Sequence, residues 1–349
     1  MAEKVVIGMS GGVDSSVAAY LLKEQGYDVI GVTMLTWRKT ADDEAVKDAK
    51  KVAESLGIPF FTVDFRQEFK KYVMDYFAAE YKAGRTPNPC TVCNRFVKWE
   101  ALINKAKEFG AEYIATGHYA RIDKHPVTGR LVIRDSVTAK KDQTYALYNL
   151  TQDQLKATIM PIGNYEKDEI RQIASKIGLE VAVKGDSQDI CFIPDNDYVA
   201  FLERKYGYKA KRGNYIDLTG KPIGEHKGIV NYTIGQRKGL GVSFGKHMFV
   251  TEIKPETNEI VLGDNEDLFK RTVYADKVNL MAVERIDGEI RLTAKIRYAH
   301  KKTPCIVRMK DGMLECIFDE PQRAPTPGQA LVLYDGEYVF GGGTIIGAE

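Results

Sequence analysis

The sequence predicts an α/β first domain with a parallel, doubly wound sheet, followed by two small β-rich domains, the last of them a β-barrel. In the first third, strand patterns near 28–34 and 59–63 alternate with helix patterns near 42–56 and 67–83, which predicts the parallel sheet. From about residue 204, frequent glycines indicate an irregular β-rich segment. From about residue 272, short strands between glycine turns are typical of a small barrel. We therefore expect domains at 1–203, 204–271 and 272–349.

The composition is that of an ordinary globular protein. Of 349 residues, 44% are hydrophobic and 28% charged, and the formal net charge is only +2, so any nucleic-acid binding must come from local clusters of charge. No apolar run is long enough to cross a bilayer and no signal sequence precedes the first strand, which predicts a cytoplasmic protein. Five cysteines are too few for a disulfide scaffold, so each is core filler, a metal ligand or a reactive thiol.

The first strand ends in a glycine loop that is suited to an anion. The apolar run 5–7 predicts a buried strand, and a helix begins near Asp14. Gly11 and Gly12 can adopt positive φ, so several backbone N–H groups can converge on a phosphate at the helix N-terminus. The loop lacks the Lys-Ser/Thr pair of a Walker A loop and does not fit the dinucleotide pattern. Ser-Gly-Gly-Val-Asp-Ser resembles the pyrophosphate loop of ATP pyrophosphatases; an ordinary βα turn is the alternative.

Two further positions are expected to border the same crevice, because ligands bind beyond the carboxyl ends of parallel strands. Met34 ends the second strand, where it could equally pack in the core or lie under an adenine ring. Gly117 and His118 follow a strand near 112–116. His118 is either a ligand contact or a hydrogen-bonded structural histidine. A hairpin near 121–134 and a charged loop at 140–144 come next, and the loop could be solvated surface.

A proline-rich segment, 84–94, carries two of the cysteines. Its prolines forbid a regular helix, and Cys90 and Cys93 fall at the N-terminus of the next helix, where the helix dipole favours thiolate. A zinc half-site is the alternative, but Cys305 and Cys316 supply no second Cys-x-x-Cys. Cys191, in the motif at 186–194, sits between apolar neighbours and could be a lone buried thiol.

Two stretches are locally basic. Residues 204–238 hold nine Lys or Arg against two acids, with interleaved tyrosines, which suits a phosphate backbone and unstacked bases. In a strand near 291–298, Arg291, Thr293, Lys295 and Arg297 share one face, and residues 291–310 carry seven Lys or Arg and no acid. A solvated strand edge that resists aggregation is the alternative.

The motifs together resemble those of the bacterial tRNA-specific 2-thiouridylases, members of the pyrophosphate-loop ATP pyrophosphatases. The matching stretches run through the whole chain in order: Gly-Met-Ser-Gly-Gly-Val-Asp-Ser, Gly-Arg-Thr-Pro-Asn-Pro-x-x-x-Cys-Asn, Thr-Gly-His-Tyr-Ala, Lys-Asp-Gln-Thr-Tyr, Asp-Ser-Gln-Asp-Ile-Cys-Phe-Ile, Tyr-Thr-Ile-Gly-Gln-Arg-Lys-Gly-Leu-Gly and Arg-Tyr at 297 and 298. The resemblance implies an adenine nucleotide hydrolase-like first domain and 2-thiolation of the wobble uridine in tRNAs for Lys, Glu and Gln.

The resemblance also implies roles for individual residues. Cys93 would be the nucleophile and Cys191 would carry a persulfide. The expected ATP contacts are Gly8, Met9, Ser10, Gly11, Gly12, Val13, Asp14, Ser15, Met34 and Gly117. The expected tRNA contacts are Asn88, Pro89 and Cys90 beside the flipped base, with His118, Lys141, Asp142, Gln143, Arg297, Tyr298 and Gln329. The implied partners are tRNA and a sulfur donor such as a cysteine desulfurase or sulfur-relay protein, without membrane or DNA.

The chemistry that the resemblance implies uses both the ATP contacts and the cysteines. ATP, with Mg²⁺, would adenylate the carbonyl oxygen of the base, and AMP would then leave as persulfide sulfur arrives, ending in a Cys93–Cys191 disulfide. One departure is Cys90, where many members of the family carry Asp. Three thiols also match related tRNA thiolases that hold a [4Fe–4S] cluster, so a cluster on Cys90, Cys93 and Cys191 is a second mechanism. The rival classes are another adenylating ligase with the same loop and a non-catalytic tRNA-binding protein.

Overall fold

The fold is described from a computed structural model, which describes residues 2–37, 40–179, 190–242 and 245–349. The sequence motif at 186–189 therefore lies outside the described residues. Within the described residues, no helix is long and apolar enough to cross a membrane.

The first domain alternates strands and helices as predicted. In chain order the elements are β1 (Lys4–Gly8), α1 (Val13–Glu24), β2 (Asp28–Leu35), α2 (Glu44–Leu56), β3 (Phe60–Asp64), α3 (Arg66–Phe69), α4 (Asp75–Lys82), α5 (Pro89–Val92), α6 (Leu102–Glu108), β4 (Tyr113–Ala115), β5 (Arg121–Lys124), β6 (Leu131–Arg134), α7 (Thr144–Leu147), α8 (Gln152–Lys156), β7 (Thr158–Ile159), α9 (Lys167–Lys176) and α10 (Tyr198–Tyr206). Two π-helical stretches, Lys70–Met74 and Cys93–Ala101, join α3 to α4 and α5 to α6. The chain thus forms continuous helices over 66–82 and 89–108.

The central sheet is parallel, in the order β3-β2-β1-β4-β7. Alternate residues of β1 enter different cores, because successive side chains of a strand point to opposite faces. Val6 joins the core that contains the helices over 66–82 and 89–108, whereas Val5 and Ile7 join the core that contains α1, α2 and α9. Helices therefore cover both faces, which confirms the doubly wound sheet.

The second, smaller unit is a four-stranded sheet. Its strands are β8 (Gly213–Ile216), β9 (Pro222–His226), β10 (Phe249–Lys254) and β11 (Glu259–Gly263), in the order β10-β11-β8-β9. The predicted turn at 254–258 joins β10 to β11, and Asn258 has φ 55° there. Tyr215 and Tyr232, two of the tyrosines among the basic residues, are buried in the core of this unit. Their rings therefore pack inside the sheet and do not supply a stacking surface for bases.

The third unit is a closed six-stranded β-barrel, as predicted. Its strands are β12 (Phe269–Leu280), β13 (Ile290–Lys295), β14 (Thr303–Lys310), β15 (Met313–Arg323), β16 (Ala330–Asp335) and β17 (Tyr338–Ala348), and a pairing of β12 with β17 closes the circle. Asp311 and Gly312 both have positive φ in the turn between β14 and β15, as a tight Asp-Gly hairpin requires. The strand predicted to reach residue 298 ends at Lys295, since the chain turns at 297–300, where the N–H of His300 donates to the carbonyl of Arg297.

The hairpin of β5 and β6 belongs to this barrel sheet although it lies within the first domain in sequence. Arg134 in β6 pairs with Tyr338 in β17. The guanidinium of Arg134 also contacts Glu337 at 2.7 Å, and Arg121 contacts the same carboxylate at 3.0 Å. The first and third units are therefore joined by main-chain pairing as well as by side chains.

Candidate active site

The glycine loop between β1 and α1 is held in shape by its own serines. Gly11 has φ 78°, and a Cβ at this position would lie 2.2 Å from the carbonyl oxygen of Ala45, so no larger residue fits. The hydroxyl of Ser15 accepts from the N–H of Ser10 at 3.1 Å and donates to the carbonyl of Gly12. The hydroxyl of Ser10 accepts from the N–H of Gly12 at 3.3 Å.

This loop leaves the start of α1 open to an anion. Gly12 is the N-cap and has no side chain to accept from the first turn of the helix. The first N–H groups of a helix lack partners within the helix, so those after Gly12 carry unsatisfied donors and the positive end of the helix dipole. The arrangement suits a phosphate group.

Met34 and Gly117 border the loop. The Met34 methyl group lies 3.4 Å from the position that a Cβ on Gly8 would occupy, and its side chain is half-buried. A Cβ on Gly117 would lie 2.7 Å from the backbone nitrogen of Ser15. The absence of a side chain at Gly117 therefore lets β4 approach the start of α1, and the structure brings the predicted ATP contacts together.

Asp14 is held by two residues that sequence reasoning missed. Its carboxylate accepts from the ammonium of Lys167 at 2.8 Å to both oxygens and from the hydroxyl of Tyr119 at 2.7 Å. Lys167 is 8% exposed and lies at the first turn of α9. Lysine is seldom buried without a charged partner, but the partner is 153 residues away in sequence, so no local pattern could have indicated the contact.

The helix after the proline-rich segment begins earlier than predicted, at Pro89 inside that segment. Asn88 caps the helix that begins at Pro89, and its side-chain oxygen accepts from the N–H of Cys90 at 3.1 Å. Cys90 is exposed, whereas Cys93, the first residue of the second π-helical stretch, is partly buried against the main core.

The environment of Cys93 corrects one expectation. The helix dipole was expected to favour its thiolate, but Cys93 lies a full turn inside the helix and is surrounded by apolar groups. Burial raises the pKa of the Cys93 thiol to about 12; the charge of Lys98 opposes this, and the charges of Cys191 and Cys90 reinforce it. Burial and the charges of the other two thiols therefore all oppose the thiolate at Cys93.

Cys191 lies at the surface, so the expectation of a lone buried thiol was wrong. It lines a cleft of about 820 Å³ together with Trp37, Phe192, Arg204 and Lys205. Phe192, next to it, is buried among Phe69 and Phe77 and fixes the backbone at this point. The thiol is therefore accessible from solvent on a segment anchored in the core.

His118 is a neutral, hydrogen-bonded histidine. Its Nδ1 lies 2.8 Å from the Thr116 hydroxyl, and its ring centroid lies 5.3 Å from that of Trp99. Burial, followed by the charge of Lys98, lowers the pKa of His118 well below its ordinary value. Its charge therefore does not change near neutral pH.

The predicted tRNA contacts at 141–143 lie beside Tyr298 and Cys90. The Tyr298 hydroxyl donates to the carbonyl of Asp142 at 2.9 Å, and the pKa of Tyr298 is raised by burial, then by the charge of Asp142, with Lys141 opposing and Cys90 reinforcing. The carboxylate of Asp142 accepts from the N–H and hydroxyl of Thr144. These hydrogen bonds of Asp142 hold the loop in a fixed conformation.

Gln143 connects that loop to the residue that holds Asp14. Its side-chain oxygen accepts from the N–H of Tyr119 at 2.9 Å, and its own N–H donates to the carbonyl of Tyr119 at 3.1 Å. Gln143 therefore links the predicted tRNA contacts to the glycine loop through Tyr119.

Gln329 reaches the site from the barrel, whereas Arg297 bonds within the barrel. The amide of Gln329 donates to the carbonyl of Thr86 at 2.7 Å, at the start of the cysteine loop. Arg297 is half-buried and donates to the carbonyl of Arg323 at 3.0 Å. The structure thus places Gln329 against the segment that leads to Cys90.

Comparisons with known proteins agree with this geometry. Residues 3–195 match the family described as tRNA methyl transferase HUP domain, residues 200–264 its PRC-barrel domain, and residues 270–345 the aminomethyltransferase beta-barrel domain. The tRNA-specific 2-thiouridylase of Lachnoclostridium phytofermentans is 56% identical over 356 residues, which cover 99% of each chain. That of Clostridioides difficile is 52% identical over 358 residues, covering 99% of this chain and 98% of the relative.

Solved structures are more distant. The U34-tRNA thiolase NcsA from Methanococcus maripaludis with its [4Fe-4S] cluster aligns with a TM-score of 0.35 at 21% identity, covering 58% of this chain and 66% of that chain. The identity of 56% and 52% to two tRNA-specific 2-thiouridylases over 99% of this chain shows its family: the chain belongs to the tRNA-specific 2-thiouridylases.

Proposed function

We propose that this chain, as a tRNA-uridine 2-sulfurtransferase, uses ATP to adenylate the wobble uridine of tRNAs for Lys, Glu and Gln, and replaces its 2-oxygen with persulfide sulfur. The observation that carries the proposal is that Cys93 and Cys191 lie in the same domain as a glycine loop whose helix start has no side-chain cap and suits a phosphate. An anion loop alone fits many adenylating enzymes. Paired thiols in the same domain fit sulfur transfer.

In the first step, the 2-oxygen of the uridine attacks the α-phosphate of ATP, and pyrophosphate leaves. The backbone N–H groups at the start of α1 would hold the departing phosphates, because they are donors fixed in place before the reaction. The expected contacts are those bordering the loop, namely Gly8 to Ser15, Met34 and Gly117. Mg²⁺ would neutralise phosphate charge when bound.

In the second step, sulfur replaces AMP at C2 of the base. The terminal sulfur of a Cys191 persulfide attacks C2, AMP leaves, and the Cys93 thiolate then attacks the Cys191 sulfur and frees the thiocarbonyl. Alternatively, Cys93 first releases the terminal sulfur as hydrosulfide, which attacks C2. Both routes end in a Cys93–Cys191 disulfide, and an external dithiol returns the two electrons.

The tRNA would lie across the barrel and the cysteine loop. The target base must leave its stack to reach Cys93, with Asn88, Pro89 and Cys90 beside it. His118, Lys141 to Gln143, Arg297, Tyr298 and Gln329 would contact the surrounding RNA. The sulfur donor would be a cysteine desulfurase or sulfur-relay protein acting in the cytoplasm. The predicted domains 1–203, 204–271 and 272–349 are retained as part of the proposal.

The iron–sulfur alternative is not part of this proposal. Throughout the described residues, which include all five cysteines, no group of three or more His, Cys, Asp or Glu side chains could hold a metal ion. Cys90 and Cys191 are exposed while Cys93 is partly buried. These observations give no support to a three-thiolate cluster, and no step is assigned to iron.

Mass spectrometry of tRNA nucleosides tests the proposed reaction. Expression of this chain in a strain that lacks its own 2-thiouridylase is expected to restore 2-thiouridine derivatives in tRNAs for Lys, Glu and Gln. Purified protein should release AMP and pyrophosphate only when tRNA is present. AMP production with an amine and without tRNA would instead indicate an amide-forming ligase, and persistent absence of thiolated nucleosides would reject the function.

The basic strand of the barrel gives a second test. Replacing both Lys295 and Arg297 with Ala is expected to weaken tRNA binding and to reduce the salt slope of log K by up to about two, one for each lost phosphate contact. Lys295 is partly buried between the rings of Tyr145 and Tyr298, 5.8 Å from each centroid. The measurement is the affinity for tRNA over a series of salt concentrations.

Arg291 on the same strand provides the matched control. Its guanidinium forms an ion pair with Asp319, so it offers little free charge to a phosphate. Arg291→Ala is expected to leave the slope near that of the parent. Equal slopes for parent and double variant would mean that this strand is merely solvated.

A further inference from the structure

Lys98 is a lysine inside the site to which the proposed reaction assigns no part. It lies on the π-helical stretch Cys93–Ala101 between Val97 and Trp99, which are both fully buried. Its side chain is half-buried. In the described parts of the chain, no carboxylate pairs with it and no hydrogen bond from its ammonium is found. Partial burial of an ammonium that has no carboxylate partner costs free energy, which makes Lys98 a candidate for a role in the site.

The helix geometry brings Lys98 toward Cys93. In an α-helix, two residues five apart point roughly 140° away from one another, because each residue turns the chain by about 100°. A π-helix is wound more widely and bonds residue i to residue i+5, so such residues lie one above the other on successive turns. Lys98 is five residues after Cys93, and the π-helical stretch begins at Cys93.

The charge of Lys98 affects two side chains on separate elements, Cys93 and His118, and this indicates where its ammonium lies. The charge of Lys98 lowers the pKa of the Cys93 thiol, which burial otherwise raises to about 12. The same charge also lowers the pKa of His118, which follows β4. Trp99, adjacent in sequence to Lys98, contacts the His118 ring. The ammonium therefore acts on the space between the helix over 89–108 and the loop at 116–120.

We propose that Lys98 is a positioning residue for sulfur transfer, whose ammonium is the counter-charge that stabilises the anionic form of the Cys93 sulfur. This inference rests on the proposed role of Cys93 as nucleophile. The other titratable groups at Cys93 are Cys90 on α5 and Cys191 on the segment before α10, and an anion on either opposes a second anion here. His118 is neutral, so it supplies no second positive charge beside Cys93. Among the described groups that shift the pKa of Cys93, Lys98 is therefore the cation, and it favours the thiolate that burial disfavours.

The pH dependence of alkylation tests this role without ATP or tRNA. Each cysteine is followed separately by peptide mass spectrometry during reaction of the full-length protein with iodoacetamide, since alkylation follows the thiolate fraction. Lys98→Met is expected to slow alkylation of Cys93 at pH 8 by about tenfold or more, which corresponds to one pKa unit. Lys98→Arg should retain most of the parent rate. Lys107→Met, at an exposed lysine on α6, is the matched control.

The outcomes separate this role from others. A rate for Cys93 in Lys98→Met equal to that of the parent would overturn the proposal, as would equal changes at Cys90 and Cys191, which would indicate a general structural effect. tRNA-dependent pyrophosphate release by Lys98→Met should stay near the parent value while thiolation falls. Loss of pyrophosphate release with normal Cys93 alkylation would assign Lys98 to phosphate instead. Because alkylation needs no substrate, it gives an answer even if the proposed thiolation fails.

Discussion

Cys93→Ser is expected to reduce tRNA thiolation to below about one thousandth of the parent rate, because a serine hydroxyl cannot replace a thiolate in sulfur exchange. Adenylation does not use this side chain, so tRNA-dependent pyrophosphate release should remain. Serine is close to cysteine in size, and Cys93 is only partly buried, so the helix should fold normally. The measurements are thiolated nucleoside by mass spectrometry and pyrophosphate release on the same preparation.

The other two cysteines of the site supply the comparison. Cys191→Ser should match Cys93→Ser, whereas Cys90→Asp should keep substantial activity, since Cys90 is exposed and the resemblance implies that Asp can occupy this position. Iron analysis of protein purified without oxygen completes the set. Loss of activity in all three variants, with iron present only in the parent, would favour the cluster mechanism over the persulfide.

Asp14→Asn is expected to lower tRNA-dependent pyrophosphate release by at least about a hundredfold, the scale seen when one preorganised electrostatic group is removed from an active site. The Asp14 carboxylate lies at the first turn of α1 and fixes the Lys167 ammonium at 2.8 Å beside the glycine loop. Asparagine keeps the shape but removes the charge. Affinity for tRNA should change little, because the basic strands lie on the barrel.

The stability of the Asp14 variant must be followed at the same time. Removing the carboxylate leaves Lys167 buried without this partner's charge, which is destabilising. Adding Lys167→Met should recover thermal stability but not pyrophosphate release. Asp28→Asn, at an exposed carboxylate near the other end of the sheet, serves as the control and should remain active. Normal pyrophosphate release by Asp14→Asn would contradict the assignment of the loop.

Local sequence patterns predicted those parts of the architecture that depend on interactions between residues close together in the chain. The glycine loop follows from Gly11, whose positive φ and close approach to Ala45 admit no side chain. One barrel turn follows from the Asp-Gly pair at 311 and 312, which both have positive φ. Each of these depends on residues within a few positions of one another.

The parts that the sequence did not predict depend on distant contacts. In the sequence, Lys167 looks like an ordinary residue at the start of a helix. Only folding brings it into contact with Asp14. The burial of Cys93 reverses the effect expected from the helix dipole, because desolvation by the core is the larger contribution. The predicted site residues are brought near one another by the fold, but their roles with ATP and tRNA remain predictions for the experiments above.

The pairing of the β5–β6 hairpin with β17 has a consequence for synthesis of the protein on the ribosome. Arg134 and Glu337, which form an ion pair in this junction, are separated by 203 positions in the chain. At a synthesis rate of about 5–20 residues per second, the partner strand β17 is made roughly 10 to 40 s after the hairpin. The hydroxyl of Tyr145 likewise finds its acceptor, the carbonyl of Ala330, only after a further 185 positions have been synthesised. The catalytic domain therefore completes its packing only after the barrel has emerged, and the nascent chain carries an unpaired strand edge until then.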